Sequence, residues 1–334
     1  MRTSLSDLLA TKKIILADGA TGTNYFSLGL TSGEPPEFWL DSHPERVAGL
    51  HQQFVDAGAD IILTNTFGCN SHRLKLHNAQ ARTYELAKKA AEIARGVADS
   101  CSRPVVVAGS VGPTGELFEP LGALTHEVAV ASFEEQIRGL KDGGVDVIWI
   151  ETMSAMEEVQ AAAQAAINVS MAYTATCSFD TAGRTMMGLK PDGLAKVFGG
   201  LVEAPIAMGA NCGVGASDIL VTALEMGATA SHSHLPIIVK GNCGIPRFEG
   251  VEIKYSGTPE LMARYASMAV DAGVRIVGGC CGTSPEHLAA MRVAIDSHVD
   301  GPRPTIETII ADIGPLTNKP PTDNDPNRRK SRRG

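Results

Sequence analysis

The feature that most limits what this chain can fold into is an eightfold alternation, between Lys13 and His298, of short β-branched runs with longer Ala-rich amphipathic stretches. The runs are Ile14–Ala17, Ile61–Asn65, Val105–Gly109, Val147–Ile150, Tyr173–Ser178, Ile206–Gly209, Ile237–Gly241 and Arg275–Gly278. The helical patterns that follow cover Pro44–Asp56, Ala79–Ser100, His126–Lys141, Ala155–Asn168, Pro191–Leu201, Ala216–Met226, Thr258–Asp271 and Ser284–Ser297. The last two open on Thr258-Pro259-Glu260 and Ser284-Pro285-Glu286, a capping residue followed by proline at the first helical position. A weak repeat at the helix-to-strand links, Asp56-Ala-Gly58-Ala-Asp60, Asp142-Gly-Gly144-Val-Asp146 and Asp271-Ala-Gly273-Val, places a helix-ending glycine before successive strands. Continuous apolar strands separated by helices predict an α/β fold, a closed (β/α)8 TIM barrel with elaborated βα loops. An open doubly wound sheet would carry a phosphate-binding glycine fingerprint after its first strand, and Gly19-Ala-Thr-Gly22-Thr is too short for one.

In such a barrel the loops after the strands form the active face. Two of them carry cysteines among glycines: Gly209-Ala-Asn-Cys212-Gly-Val-Gly215, and Gly278-Gly-Cys280-Cys281-Gly-Thr. Glycine lets the backbone turn sharply, so three sulfurs from two loops can face one point, which suits Zn2+ with its fourth position open. Lys240-Gly-Asn-Cys243-Gly has the same look, and spacing alone does not separate Cys243 from Cys212 as a ligand. Cys69, Cys101 and Cys177 lack convergent neighbours and read as packing residues.

Asp18 and Glu151 end two strands on the same predicted face, where paired carboxylates suit acid–base work, metal ligation or a substrate ammonium group. With thiolates on the metal, the ammonium is favoured. Three thiolates on a dication also make a weak Lewis acid for hydrolysis, better suited to holding an incoming thiol as a nucleophile; thiolate alkylation is the chemistry this implies. Lys240, closing a strand, raises the alternative of a Schiff-base lyase or aldolase. A non-catalytic zinc protein is a further alternative, with Cys243 as fourth ligand. His232 and His234 fall before the seventh strand, on the opposite rim, and read as surface histidines.

The length of 334 residues suffices for a large core, and 44% hydrophobic with 20% charged residues is an ordinary globular balance. A formal charge of -8 disfavours nucleic acid or an anionic membrane as partner and favours a small molecule. The mixed N-terminus and the absence of a long apolar run predict a cytoplasmic protein. Residues 1–312 are expected to form one barrel domain and 313–334 a disordered polar tail, with Pro315 to Gly334 offering almost nothing to bury. Self-association into a homo-oligomer is compatible with the long loops.

Asp18-Gly-Ala-Thr-Gly-Thr, Thr64-Asn-Thr-Phe67, Gly112-Pro-Thr-Gly115, Ile150-Glu-Thr, Gly209-Ala-Asn-Cys-Gly and Gly278-Gly-Cys-Cys-Gly-Thr, in this order, resemble the homocysteine S-methyltransferase family over about residues 10 to 300. The resemblance implies a zinc-bearing, homocysteine-binding barrel with Cys212, Cys280 and Cys281 as ligands. It also implies that Asp18 and Glu151 hold the homocysteine amino group beside the Gly19 backbone, and that an onium donor gives up a methyl group to form methionine. Gly29-Leu-Thr-Ser-Gly-Glu-Pro-Pro-Glu-Phe-Trp39 and Gly183-Arg-Thr-Met-Met-Gly188 are most similar to the bacterial betaine–homocysteine methyltransferases, implying glycine betaine as donor and dimethylglycine as by-product. A quaternary ammonium group calls for aromatic neighbours, and Trp39, Phe38, Phe67 and Tyr25 are the candidates. Gly68 and Thr152 stand where the animal betaine enzymes carry tyrosines. S-methylmethionine, dimethylsulfoniopropionate and a methylcorrinoid on a separate protein are the other donors the resemblance allows.

Overall fold

The computed structural model describes residues 2–228, 234–244, 246–249 and 252–317 of the chain. Eight parallel strands form one sheet in the order β1-β10-β7-β6-β5-β4-β3-β2. They are β1 (Ile15–Leu16), β2 (Ile61–Leu63), β3 (Val106–Val111), β4 (Val147–Met153), β5 (Tyr173–Cys177), β6 (Ala207–Cys212), β7 (Ile237–Gly241) and β10 (Ile276–Gly279). A bridge between Ala17 and Ile61 joins β1 to β2 and closes the barrel. An antiparallel hairpin, β8 (Pro246–Glu249) with β9 (Glu252–Tyr255), rises between β7 and the next helix.

The alternation of strand side chains divides the core into two layers. Ile15, Ala17, Ile61, Leu63, Val106, Ala108, Val147, Trp149, Ile238 and Ile276 point into the barrel, where Leu5 and Leu8 of the N-terminal helix Leu5–Thr11 close its floor. Leu16, Ile62, Val107, Ile148 and Ile150 point outward and pack under the surrounding helices. Strands apolar on both faces can only be buried on both faces, which is why these runs read as continuous.

Helix limits follow the capping chemistry. Pro44–Asp56 coincides with its predicted span, and Pro259–Asp271 and Pro285–Asp296 begin at the predicted prolines. The expected helix at 191–201 is reduced to a 3-10 turn, Pro191–Gly193, and one helical turn, Leu194–Val197, in a segment interrupted by Gly193 and followed by Gly199-Gly200. Strands β4 and β6 run further than predicted, so that Glu151 and Cys212 lie on strand ends rather than in loops.

Residues 313–317, expected to belong to the polar tail, are fastened to the barrel. Beyond the helix Ile306–Asp312, the Gly314 carbonyl accepts from Ser217 Oγ at 2.8 Å and the Thr317 N–H donates to Asp218 Oδ2 at 3.1 Å, fastening this segment to the helix Ala216–Gly227. Residues 318–334, and His232, lie outside the described residues. Among the described residues no helix is long and apolar enough to cross a membrane.

Candidate metal centre and cavity

Cys212 is the last residue of β6 and has a left-handed backbone, φ 61°, a conformation costly for a residue with a Cβ. That turn swings its sulfur across the rim toward the end of β10. Cys212 Sγ lies 3.8 Å from Cys281 Sγ, and the ligand atoms of Cys212, Cys280 and Cys281 all lie within 4.8 Å of one another. A tetrahedral site with Zn–S bonds of ~2.3 Å separates its sulfurs by about 3.8 Å, so the spacing fits such an ion. The three thiols crowd one another: hydrogen bonds to Cys280 and Cys281, with burial, raise the Cys212 thiol well above its ordinary value, Cys280 is raised as well, and hydrogen bonds from Cys212 and Cys280 lower Cys281. A cation would relieve this crowding.

Asn242 ties the two cysteine turns together. Its Oδ1 accepts from the Cys281 N–H at 3.0 Å and its Nδ2 donates to the Gly213 carbonyl at 2.8 Å. Asn211 does similar work on the other side, its Oδ1 accepting from the Thr152 N–H at 2.8 Å and Thr176 Oγ1 at 2.6 Å. Neither asparagine stood out in the sequence, although both precede cysteines in look-alike Asn-Cys-Gly turns. Cys243 is the one that turns away: it is fully buried, its N–H donates to the Cys281 carbonyl, and its sulfur packs where a Cβ on Gly257 would stand. Among the described residues it joins no metal-binding group, which removes the fourth protein ligand that a structural zinc site needs.

Beneath the sulfurs lies a buried charge cluster. Lys240 Nζ donates to Asp18 Oδ1 at 2.7 Å and stands 5.9 Å from the Trp149 ring centroid; both side chains are sealed, at 3% and 1% exposure. Burial acts to lower the lysine, but the carboxylates of Asp18 and Glu151 outweigh it and hold it above its ordinary value. A lysine kept protonated is no nucleophile, so the Schiff-base alternative is not supported. The second Asp18 oxygen accepts from the Leu63 N–H at 2.7 Å, so both are engaged and the residue stands behind the cavity wall. Glu151 lines the cavity; Ser110 Oγ donates to its Oε1 at 2.5 Å, and burial pushes it up to about 7 against the pull of Lys240.

These groups open into a cavity of about 640 Å3, also bounded by Gly19, Thr23, Phe26, Glu37, Phe67, Arg73 and Tyr255. That volume lies within the ~300–1,000 Å3 of small-molecule sites. Phe67 is half-exposed on this wall, seated where only glycine fits at 112: a Cβ there would stand 2.5 Å from the Phe67 carbonyl. Trp39 corrects the sequence reading. It is 1% exposed, with ring centroids 5.1 Å from Tyr25 and 5.1 Å from His43, and takes no part in the cavity. The turn Pro36–Phe38 aims Glu37 inward onto the Gly68 N–H at 2.6 Å; two residues on, roughly 200° round a helical path, Trp39 faces the core. Tyr25 is likewise buried, and Phe38 packs edge-on to His77. Phe26 and Tyr255 are the cavity aromatics that the sequence did not single out. Cys69 and Cys177 are fully buried in the core and Cys101 is packed against it, while His234 is exposed.

A closed parallel barrel carrying a three-thiol centre over a buried Asp–Lys–Glu cluster defines the class. The chain belongs to the homocysteine S-methyltransferase family, whose model matches residues 15–295. Among curated proteins, methionine synthase of Mycobacterium leprae is 28% identical over 320 residues, covering 90% of this chain and 26% of that protein. Methionine synthase of Mycobacterium tuberculosis is 29% identical over 310 residues, covering 88% of this chain and 25% of that protein. The chain thus spans about a quarter of the length of these relatives. Among solved structures, the homocysteine methyltransferase MmuM from Escherichia coli, in its metallated form, superposes with a TM-score of 0.73 at 22% identity, covering 86% of this chain and 99% of that one. Its apo form gives 0.66 at 21% identity, over 87% and 99%. The shared fold is the (β/α)8 barrel.

Proposed function

We propose that this chain transfers a methyl group from an onium donor to the sulfur of homocysteine, forming methionine, with Cys212, Cys280 and Cys281 holding a zinc ion. The observation that carries this reading is the convergence of three sulfurs from two strand ends on one cavity. When bound, zinc supplies a position for the homocysteine sulfur and keeps it a thiolate at neutral pH. Asn211 and Asn242 fix the turns that bear the three cysteines. Glu151 receives the substrate ammonium, with Asp18 adding negative potential from behind. Lys240 stays paired with Asp18 and holds that charge in place.

In the transfer a sulfur–carbon bond forms as the bond from the methyl carbon to the donor's nitrogen or sulfur breaks, the electron pair leaving with a neutral amine or thioether. No proton moves in this step, so no general base is required. An anion and a cation become neutral products, and the apolar surface that Phe26, Phe67 and Leu74 contribute to the cavity wall favours that loss of charge. The aromatic faces also suit an onium cation, with glycine betaine the leading donor. The test is a donor panel of glycine betaine, dimethylsulfoniopropionate, S-methylmethionine and methylcobalamin with zinc-loaded protein and homocysteine, following methionine by mass. Methionine formation that requires metal supports the reading, and full activity of metal-free protein ends it.

A further inference from the structure

We propose that Arg73 and Glu37 select the methyl donor as a small zwitterion, Arg73 taking a carboxylate on the donor while Glu37 faces its onium charge. This rests on the methyl-transfer reading and narrows its donor to the carboxylate-bearing class.

Glu37 stands at 3% exposure on the cavity wall; burial raises its carboxyl above the ordinary value, while its own N–H, the Gly68 N–H at 2.6 Å and the charge of Arg73 favour the ionised form. Arg73 also lines the cavity, on the helical turn Ser71–Leu74 capped by Asn70, whose Oδ1 accepts from the Arg73 N–H at 3.0 Å. Asn70 Nδ2 reaches the Gly112 and Pro113 carbonyls, so this turn is fixed to the loop after β3. The guanidinium lies across that loop, 3.1 Å from where a Cβ on Gly115 would stand.

Among the described residues the guanidinium forms no ion pair, although its charge acts on Glu37. The cavity wall therefore carries Glu37 and Arg73, with Glu34 beside them, as side chains that form no contact ion pair with each other, and Phe67, Leu74 and Leu76 contribute apolar wall. A buried carboxylate and an open guanidinium held apart are complementary to a molecule whose own opposite charges are separated by a short carbon chain. A guanidinium is also the side chain best shaped to grip a carboxylate, through two parallel N–H bonds. The thiol centre and Glu151 are taken by homocysteine in the reading above, so Arg73 is left for the second substrate.

The test compares wild type, Arg73→Gln and Arg73→Lys with glycine betaine, dimethylsulfoniopropionate and trimethylsulfonium, the last a methyl donor without a carboxylate. Wild type is expected to prefer the carboxylate donors. Arg73→Gln should raise their KM by ~10-fold or more, equivalent to about 1.4 kcal/mol, erase that preference and change the homocysteine KM by less than about twofold. Arg73→Lys should recover part of the loss. The proposal is overturned if Arg73→Gln leaves the donor KM unchanged, if wild type uses trimethylsulfonium as well as the carboxylate donors, or if only methylcobalamin donates. If wild type forms no methionine from any donor, the methyl-transfer reading has failed and this inference falls with it.

Discussion

Asn242 spans the gap between the two cysteine turns with both ends of its amide, so its removal should loosen the metal without unfolding the barrel. Asn242→Ala is expected to weaken zinc binding by ~10- to 100-fold, the usual cost of losing a group that orients ligands, with little change in the circular dichroism spectrum; competition with a chromophoric chelator measures it. Lys240 makes the opposite demand. Lys240→Met would leave Asp18 as an uncompensated buried charge and should cost about 3–5 kcal/mol of stability, read from the urea midpoint, while Lys240→Met with Asp18→Leu should recover most of it. The cysteines were legible because glycine-flanked sulfurs at strand ends have few other uses. Trp39 was misread because a residue's place in a loop does not say which way it faces. Asn242 was not legible because an asparagine in a glycine-flanked turn reads as an ordinary turn former, and the Lys240–Asp18 pair joins residues 222 positions apart, beyond the reach of any local pattern.

At the scale of elements, β1 is only two residues long, and its place in the wall depends on carboxylates from outside the ladder. Asp60 Oδ2 accepts from the Leu16 N–H at 3.0 Å, and the same side chain, 2% exposed, pairs with Lys12 at 2.6 Å and Arg292 at 3.4 Å. Asp60→Ala takes the acceptor from the buried Leu16 N–H and the counter-charge from Lys12, Arg292 and Arg103, whose Nη1 lies 3.7 Å from Oδ1, and is expected to cost about 1–3 kcal/mol in urea denaturation. Asp146 repeats the device, its Oδ2 accepting from the Val107 N–H and Arg95, so the Asp in the helix-to-strand repeat is a strand-fastening residue as well as a turn former. The repeat was visible in the sequence, but its purpose needed the geometry. The helices were legible because prolines and caps mark their starts. The β8–β9 hairpin was not, because each strand is only four residues long, too short for its alternation of apolar with charged residues to stand out.

For the molecule as a whole, the count of eight alternations fixed the architecture, since parallel strands apolar on both faces have few ways to bury themselves. Acid should undo this packing through His51, whose Nε2 is buried without a partner and whose pKa burial lowers to about 4. The unfolded chain binds a proton at this histidine below about 6.5 and the folded one does not until about 4, so its contribution is intact above 6.5 and falls as the pH drops between those values. The loss approaches about 3 kcal/mol, and His51→Leu should flatten that part of the pH–stability curve. Chelation of zinc-loaded protein, by contrast, should abolish methionine formation while the far-UV spectrum holds, because the apolar layers beneath the rim do not involve the metal.

Asp18 carries a consequence that reaches past its own neighbours. One of its oxygens receives the Leu63 N–H across the junction of β1 and β2, and the other faces Lys240. The same carboxylate thus serves as a stitch in the cylinder's joint and as the counter-ion for the cation below the thiols. Breathing at that joint and a shift in the electrical balance of the cavity would then be a single event, so amide exchange at Leu63 should slow when homocysteine, the proposed substrate, is added.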